Sequence, residues 1–152
     1  MTATNHALTG ALIGLVVGNP LIALPAALLS HFVCDVIPHY GPDMDDATWL
    51  KSKQFKRFLS IDATLCVLLV AYLGVQRPAH WLLAAICAFL ATSPDLLWLG
   101  KFLRLNKGNN QGSPNWFLRF ARDIQWFQRP LGAVVEAAWF IAGIVLLQAW
   151  AG

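Results

Sequence analysis

Charge is scarce in this chain. Only 12% of its 152 residues are charged, about half of the ~25% usual in a soluble domain. Much of the surface therefore need not face water. Hydrophobic residues make up 57% of the chain, and they stand in long blocks. That pattern predicts one integral membrane domain over residues 1–152. Cysteine is sparse too. Cys34, Cys66 and Cys87 each lie in an apolar run and no CxxC pair exists, which excludes a disulfide framework and leaves them as small buried hydrophobes. The first ten residues, MTATNHALTG, lack a basic n-region, so they do not read as a cleaved signal peptide. A net charge of +3 says little by itself, and no nucleic-acid partner is expected.

What is abundant is apolar sequence. Five segments can be drawn: Asn5–Val17, Pro20–Ile37, Phe58–Val75, Trp81–Leu99 and Leu131–Trp150. The last three have the ~20 residues that a spanning helix needs. The first is short, and tilted, re-entrant or partial crossing all stay open for it. Gly18-Asn19-Pro20 is a turn signal that folds the first two segments into a helical hairpin. Gly10, Gly14 and Gly18 recur every four residues, a spacing that lets another helix backbone approach closely. The expected fold is an all-α polytopic bundle.

Ten of the eleven basic residues sit in two connections, Tyr40–Arg57 and Gly100–Arg129; only Arg77 lies elsewhere. Five crossings would put both connections on one side, and the positive-inside rule makes that side the cytoplasm. The N-terminus is then inside and the C-terminus outside. In the second connection, Ser113-Pro114 reads as a helix cap with proline at N1. Trp116, Phe117, Phe120, Ile124 and Phe127 then share a face, with Arg119 and Arg122 pointing away. This predicts an amphipathic helix lying in the membrane interface.

The remaining polar groups converge in depth. His6 begins the first segment, and His31, Asp35 and His39 close the second. Asp62 lies about one turn into the third, Asp95 near the end of the fourth, and Glu136 less than two turns into the fifth. On the expected topology all lie near the cytoplasmic face. A carboxylate within a spanning helix costs ~2.5–3.5 kcal/mol on insertion scales. No Lys or Arg lies deep in a segment to neutralise Asp62, Asp95 and Glu136. A divalent metal with histidine ligands would do so. His31 and Asp35, at i and i+4, share a helix face. Pro38 ends or bends that helix and leaves His39 to fold back over the site. Histidine and carboxylate donors suit zinc foremost, with Mn or Fe as alternatives, in one or two ions. His6, His31, Asp35, His39, Asp62 and Asp95 are the candidate ligands. His80 reads as an interfacial side chain, Asp43, Asp45 and Asp46 as solvated loop acids, and the tryptophans as an aromatic belt. Glu136 could instead bond Gln125 or a backbone group.

The stretches NHALTGALIG, SHFVCDVIPHYG and SPDLLW resemble the YdjM/YbcI-like family of inner-membrane metal-dependent hydrolases. The matching positions are His6, the His31/Asp35/His39 cluster and Pro94-Asp95, within roughly the first hundred residues. The family's commoner element is compact, of the form PDxDH; here Asp and His are spread as DVIPH. The resemblance implies a prokaryotic inner-membrane hydrolase acting on a phospholipid or another phosphate ester, with membrane lipids as its surroundings. In such an enzyme a metal lowers the pKa of a water to about 7, and Asp35, Asp62 or Glu136 would be the general base; Asp62 and Glu136 are the catalytic candidates. Two other readings stay open: a transporter or ion- or proton-conducting protein, and a non-catalytic scaffold that folds around metal.

Overall fold

The computed structural model describes residues 1–40, 51–97, 100, 116–124 and 131–151, with backbone only at 117, 118, 121 and 122. Every element among them is helical: α1 (Ala3–Val17), α2 (Pro20–Val36), α3 (Lys53–Gln76), α4 (Trp81–Thr92), α5 (Trp116–Ile124) and α6 (Gly132–Ala151). The all-α expectation holds. Helices α1, α2 and α6 fall within two residues of the bounds read from the sequence.

Two departures have local causes. Helix α3 starts at Lys53, five residues before the apolar run. Ser52 caps it, its hydroxyl accepting the Phe55 N–H at 3.0 Å, so the first turn is polar yet helical. Helix α4 is shorter than expected and corrects the view that segment four is a full crossing. It has 12 residues and ends at Thr92. Pro94 has no N–H to continue the ladder. The Leu90 carbonyl instead accepts from the Ser93 N–H at 3.2 Å and the Ser93 hydroxyl at 2.8 Å. The chain turns there and delivers Asp95 to the bundle end.

Helix length decides which elements can cross a bilayer. At 1.5 Å per residue, α3 is about 36 Å long and α6 about 30 Å, against a hydrocarbon core of ~30 Å. These two are long and apolar enough to span; α1, α2 and α4 are apolar but shorter. Five full crossings are therefore not what the helix lengths support. The long helices carry exposed apolar side chains, among them Val67 at 67% and Ile141 at 62%, surface that water does not favour.

Helix α1 is the hub, packed against α2, α3, α4 and α6. The glycine spacing accounts for its closest contact. A Cβ on Gly10 would sit 2.3 Å from the Cys87 carbonyl oxygen, and one on Gly14 would sit 2.5 Å from the Ala84 Cα. Helix α4 answers with Ala84, Ala88 and Ala91, all buried. The two backbones thus meet along paired stripes of small residues. At the hairpin turn Gly18 has φ +65°, and a Cβ there would lie 2.8 Å from His80 Nε2. The α1–α2 turn and the start of α4 therefore share one end of the bundle. Leu8 and Leu15 of α1, Leu69 and Leu73 of α3 and Leu147 of α6 are buried together in the core around the hub helix.

Helix α5 lies where an amphipathic helix was expected. Trp116 and Arg119 are exposed, and the Phe120 ring packs 5.9 Å from that of Phe32 on α2. The Ser113-Pro114 cap, Phe127, Gln125 and the acids Asp43, Asp45 and Asp46 lie outside the described residues.

Candidate metal centre

Thr4, Asn5 and His6 are three buried polar residues in succession on the hub helix. Successive residues on an α-helix are turned by about 100°, so the three address three different neighbours. The Thr4 N–H donates to Asp62 of α3 at 2.9 Å, Asn5 Nδ2 donates to the Glu136 carbonyl of α6 at 3.2 Å, and His6 Nε2 meets Asp35 of α2 at 3.1 Å. One short polar run at the start of an apolar segment organises the whole bundle end.

The His6 direction leads to a cluster. His6 and His31 stack with ring centroids 4.1 Å apart. The Asp35 carboxylate lies across both, with Oδ1 at 3.1 Å from His6 Nε2 and Oδ2 at 3.3 Å from His31 Nε2. The shared helix face expected for His31 and Asp35 is observed. The amino-terminal nitrogen of Met1 donates to Asp35 Oδ1 at 2.6 Å. Asp95 Oδ1 stands 3.9 Å from His31 Nε2, and its side chain is 31% exposed. Ligand atoms of His6, His31 and Asp95 all lie within 4.8 Å of one another. This buried group can hold a metal ion.

The donor chemistry fits a cation. His31 Nδ1 lies 2.9 Å from the Ala91 carbonyl oxygen. A carbonyl oxygen only accepts, so Nδ1 carries the proton and a neutral ring keeps its lone pair on Nε2. That lone pair faces two carboxylates. A metal ion, or a second ring proton, is what makes that arrangement favourable. The Ala91 carbonyl plays the part of the outer partners that orient metal-binding histidines. On His6, Nδ1 is buried without a partner.

His39 reaches the same end by the expected route. Helix α2 stops with Ile37 as its cap, and His39 is 1% exposed. Its Nδ1–H donates to the Ile37 carbonyl at 2.8 Å. Its backbone fills the space a side chain on Gly132 would need, the nearest approach being 2.1 Å. It stands outside the compact group of His6, His31 and Asp95. Burial, with the amino-terminal charge adding to it, pushes its imidazole below the ordinary histidine range.

Asp62 has a different set of partners. It accepts the N–H groups of Ala3 and Thr4, both at 2.9 Å, and the Thr4 hydroxyl. These are donors that the first turn of a helix leaves without partners. A carboxylate from α3 thus caps α1 and lies at the positive end of its dipole. Glu136 is buried in a cleft of about 270 Å³ between α3 and α6, together with Asn5 and Asp62. Its Oε1 has no hydrogen-bond partner, and neither has Asn5 Oδ1. Thr4 and Asn5 are signalled in the sequence by the run TATN directly before His6, and the Trp139 indole, expected in an aromatic belt, donates to Thr9 Oγ1 at 2.9 Å. No family model, curated protein or solved structure matches the chain.

Proposed function

We propose that the chain is a membrane-embedded, metal-dependent hydrolase of the YdjM/YbcI-like kind, acting on a lipid or another phosphate ester at one face of the membrane. The observation that carries this reading is the His31 ring. Its Nδ1 is bound to the Ala91 carbonyl, and its Nε2 is presented to Asp35 and Asp95. That hydrogen bond within the fold turns Nε2, the other ring nitrogen, toward the two carboxylates. His6, His31 and Asp95 would hold the ion, zinc foremost, and Asp35 would fix the two rings. When bound, a divalent ion supplies Lewis acidity toward a phosphoryl or carbonyl oxygen.

Access supports catalysis over a sealed structural site. A structural metal is closed by four protein ligands, whereas a catalytic one keeps an open position. Among the described residues the compact group offers three, and the Asp95 side chain is partly exposed. The cluster stands at the bundle end to which both basic connections join, so Lys and Arg would draw anionic headgroups toward it. A polar path through the bundle would favour a transporter instead. The end opposite the cluster, at Gly18 and His80, adds little beyond Arg77, and the core between is leucine and alanine.

The test is metal analysis of the purified protein, followed by turnover assays on lipid phosphates and esters with and without chelator. One bound divalent ion, and hydrolysis that stops on chelation and returns with metal, are expected. Metal without turnover on any such ester would move the reading to a metal-stabilised scaffold. Absence of metal would end it.

A further inference from the structure

Helix α3 shows where the hydrocarbon would begin. Lys53, Lys56 and Arg57 are exposed, and the exposed apolar side chains start at Phe58. In a bilayer that changeover marks the headgroup boundary. Asp62 follows four residues later, about 6 Å deeper. Helix α6 agrees, since Glu136 stands five residues, about 7.5 Å, beyond the exposed Leu131. The hub helix carries the measure across the bundle. Thr4 bonds to Asp62, and His6, two residues further along α1, lies about 3 Å deeper. The group of His6, His31 and Asp95 is therefore sunk roughly 6–9 Å below the boundary set by α3 and α6. A flat bilayer holds neither water nor phosphate at that depth.

The α2–α4 side is built differently. Helix α2 has 17 residues and α4 has 12, so they are about 25 Å and about 18 Å long against a hydrocarbon core of ~30 Å. A short apolar wall draws the bilayer thinner beside it. Asp95, the partly exposed member of the cluster, follows the end of α4. Helix α5 marks the same level. Its sequence WFLRFARDI carries two arginines and an aspartate, and Arg119 and Asp123 are exposed, so it belongs along the interface and not within hydrocarbon. Yet its Phe120 ring packs 5.9 Å from Phe32 of α2, and Phe32 meets the His31 ring edge-on at 5.2 Å. An interfacial helix thus sits at the depth of the candidate metal centre.

We propose that the leaflet at the cluster end is drawn down by about 6 Å on the α2–α4 side and pinned there by α5, while its boundary stays high along α3 and α6. Phospholipid headgroups and water then meet the centre at its own depth. The group delivered to it is the headgroup with its phosphate, and not the acyl chain. This rests on the membrane-embedded reading and needs neither metal nor turnover.

Two positions form a matched pair for the test. Val33 on α2 is 64% exposed and Ile61 on α3 is 62% exposed. Each stands within two residues of the polar level, Val33 beside His31 and Ile61 beside Asp62. Single nitroxide labels are placed at these sites in the full chain, with the three native cysteines replaced by alanine, in phosphatidylcholine nanodiscs. Electron paramagnetic resonance with oxygen and a water-soluble nickel chelate as relaxants reads their depth. A flat bilayer makes the two labels equally deep. The drawn-down leaflet makes the Val33 label about 6 Å shallower than the Ile61 label. Phe120→Ser, which loosens α5 from Phe32, should remove most of that difference. Equal depths overturn the proposal, and a difference that Phe120→Ser leaves intact overturns the part given to α5. If both labels meet the nickel chelate as freely as a label in water, the membrane-embedded reading itself falls, a failure distinct from the other two.

Discussion

His31 donates its Nδ1–H to the carbonyl of Ala91 at 2.9 Å, and that single bond decides which ring nitrogen faces the carboxylates. It also joins α2 to α4 at the point where Pro94 turns the chain toward the cluster. The same local break that shortens α4 brings Asp95 within 3.9 Å of His31.

The first prediction concerns those ligands. His31→Ala and His6→Ala should each lower bound metal by at least tenfold, as first-hand ligands do, whereas His80→Ala at the far end should leave it unchanged. Elemental analysis of purified variants reads this directly. Loss of an orienting partner typically costs 10–100-fold in metal affinity, so Asp35→Asn should weaken binding in that range. Full metal content in both histidine variants would exclude the proposed site.

Asp62 separates two roles by two measurements. As the cap of α1 it contributes three accepted hydrogen bonds. Asp62→Asn places an amide N–H against backbone N–H groups and should lower stability by about 1–3 kcal/mol, with metal retained. Thermal unfolding in detergent measures it. An unchanged midpoint with turnover reduced roughly 10²–10⁴-fold would instead return Asp62 to the general base considered from the sequence.

Much of this was legible in the residues for physical reasons. Apolar length and the Gly18-Asn19-Pro20 turn located the helices, because hydrocarbon runs and missing N–H groups act locally. The glycine spacing foretold a close backbone contact; which helix fills it depends on the alanine stripe of α4, seventy residues away. His31 and Asp35 were readable as a pair because helical spacing alone brings them together. The partners of Asp62 were not. A carboxylate one turn into an apolar helix looks the same in sequence whether it meets a metal, a proton path or the N-terminus of another helix.

The glycine stripe gives a stability test with an internal control. Gly14→Val should force the α1 and α4 backbones apart, since a Cβ there meets the Ala84 Cα at 2.5 Å. Overpacking of this kind costs about 1–3 kcal/mol. Gly74→Ala meets nothing nearer than Trp81 at 3.9 Å. It lies inside α3, where Ala is favoured over Gly by up to ~1 kcal/mol, so its unfolding midpoint should stay level or rise. Equal behaviour of the two variants would contradict the packing described.

His39 sets a pH dependence. Burial holds its imidazole below the ordinary value of 6.5, so the fold prefers the neutral ring. As pH falls below 6.5 the unfolded chain takes up a proton that the folded chain refuses, and stability drops until the folded ring titrates in turn. The contribution of His39 to the stability of metal-free protein should therefore fall between about pH 7 and about pH 5, read from the slope of the unfolding midpoint against pH. His39→Gln should flatten part of that slope. A slope untouched by the substitution would assign the effect to other groups.

Topology is the broadest prediction. All five apolar helices alternate in direction between the cluster end and the Gly18–His80 end, although only α3 and α6 have the length to cross alone. Helices α3 and α6 both begin at the cluster end, where Asp62 and Glu136 lie in one cleft. The basic connections join that end, and Arg77 marks the other. If the positive-inside rule orients the chain, single cysteines placed at Lys51 and Asn109 in a variant lacking Cys34, Cys66 and Cys87 should react only after the membrane is opened to the cytoplasmic side. A cysteine at Arg77 should react from outside in intact cells. Reaction of all three from one side would mean that α3 does not cross, and the proposed topology would fall with it.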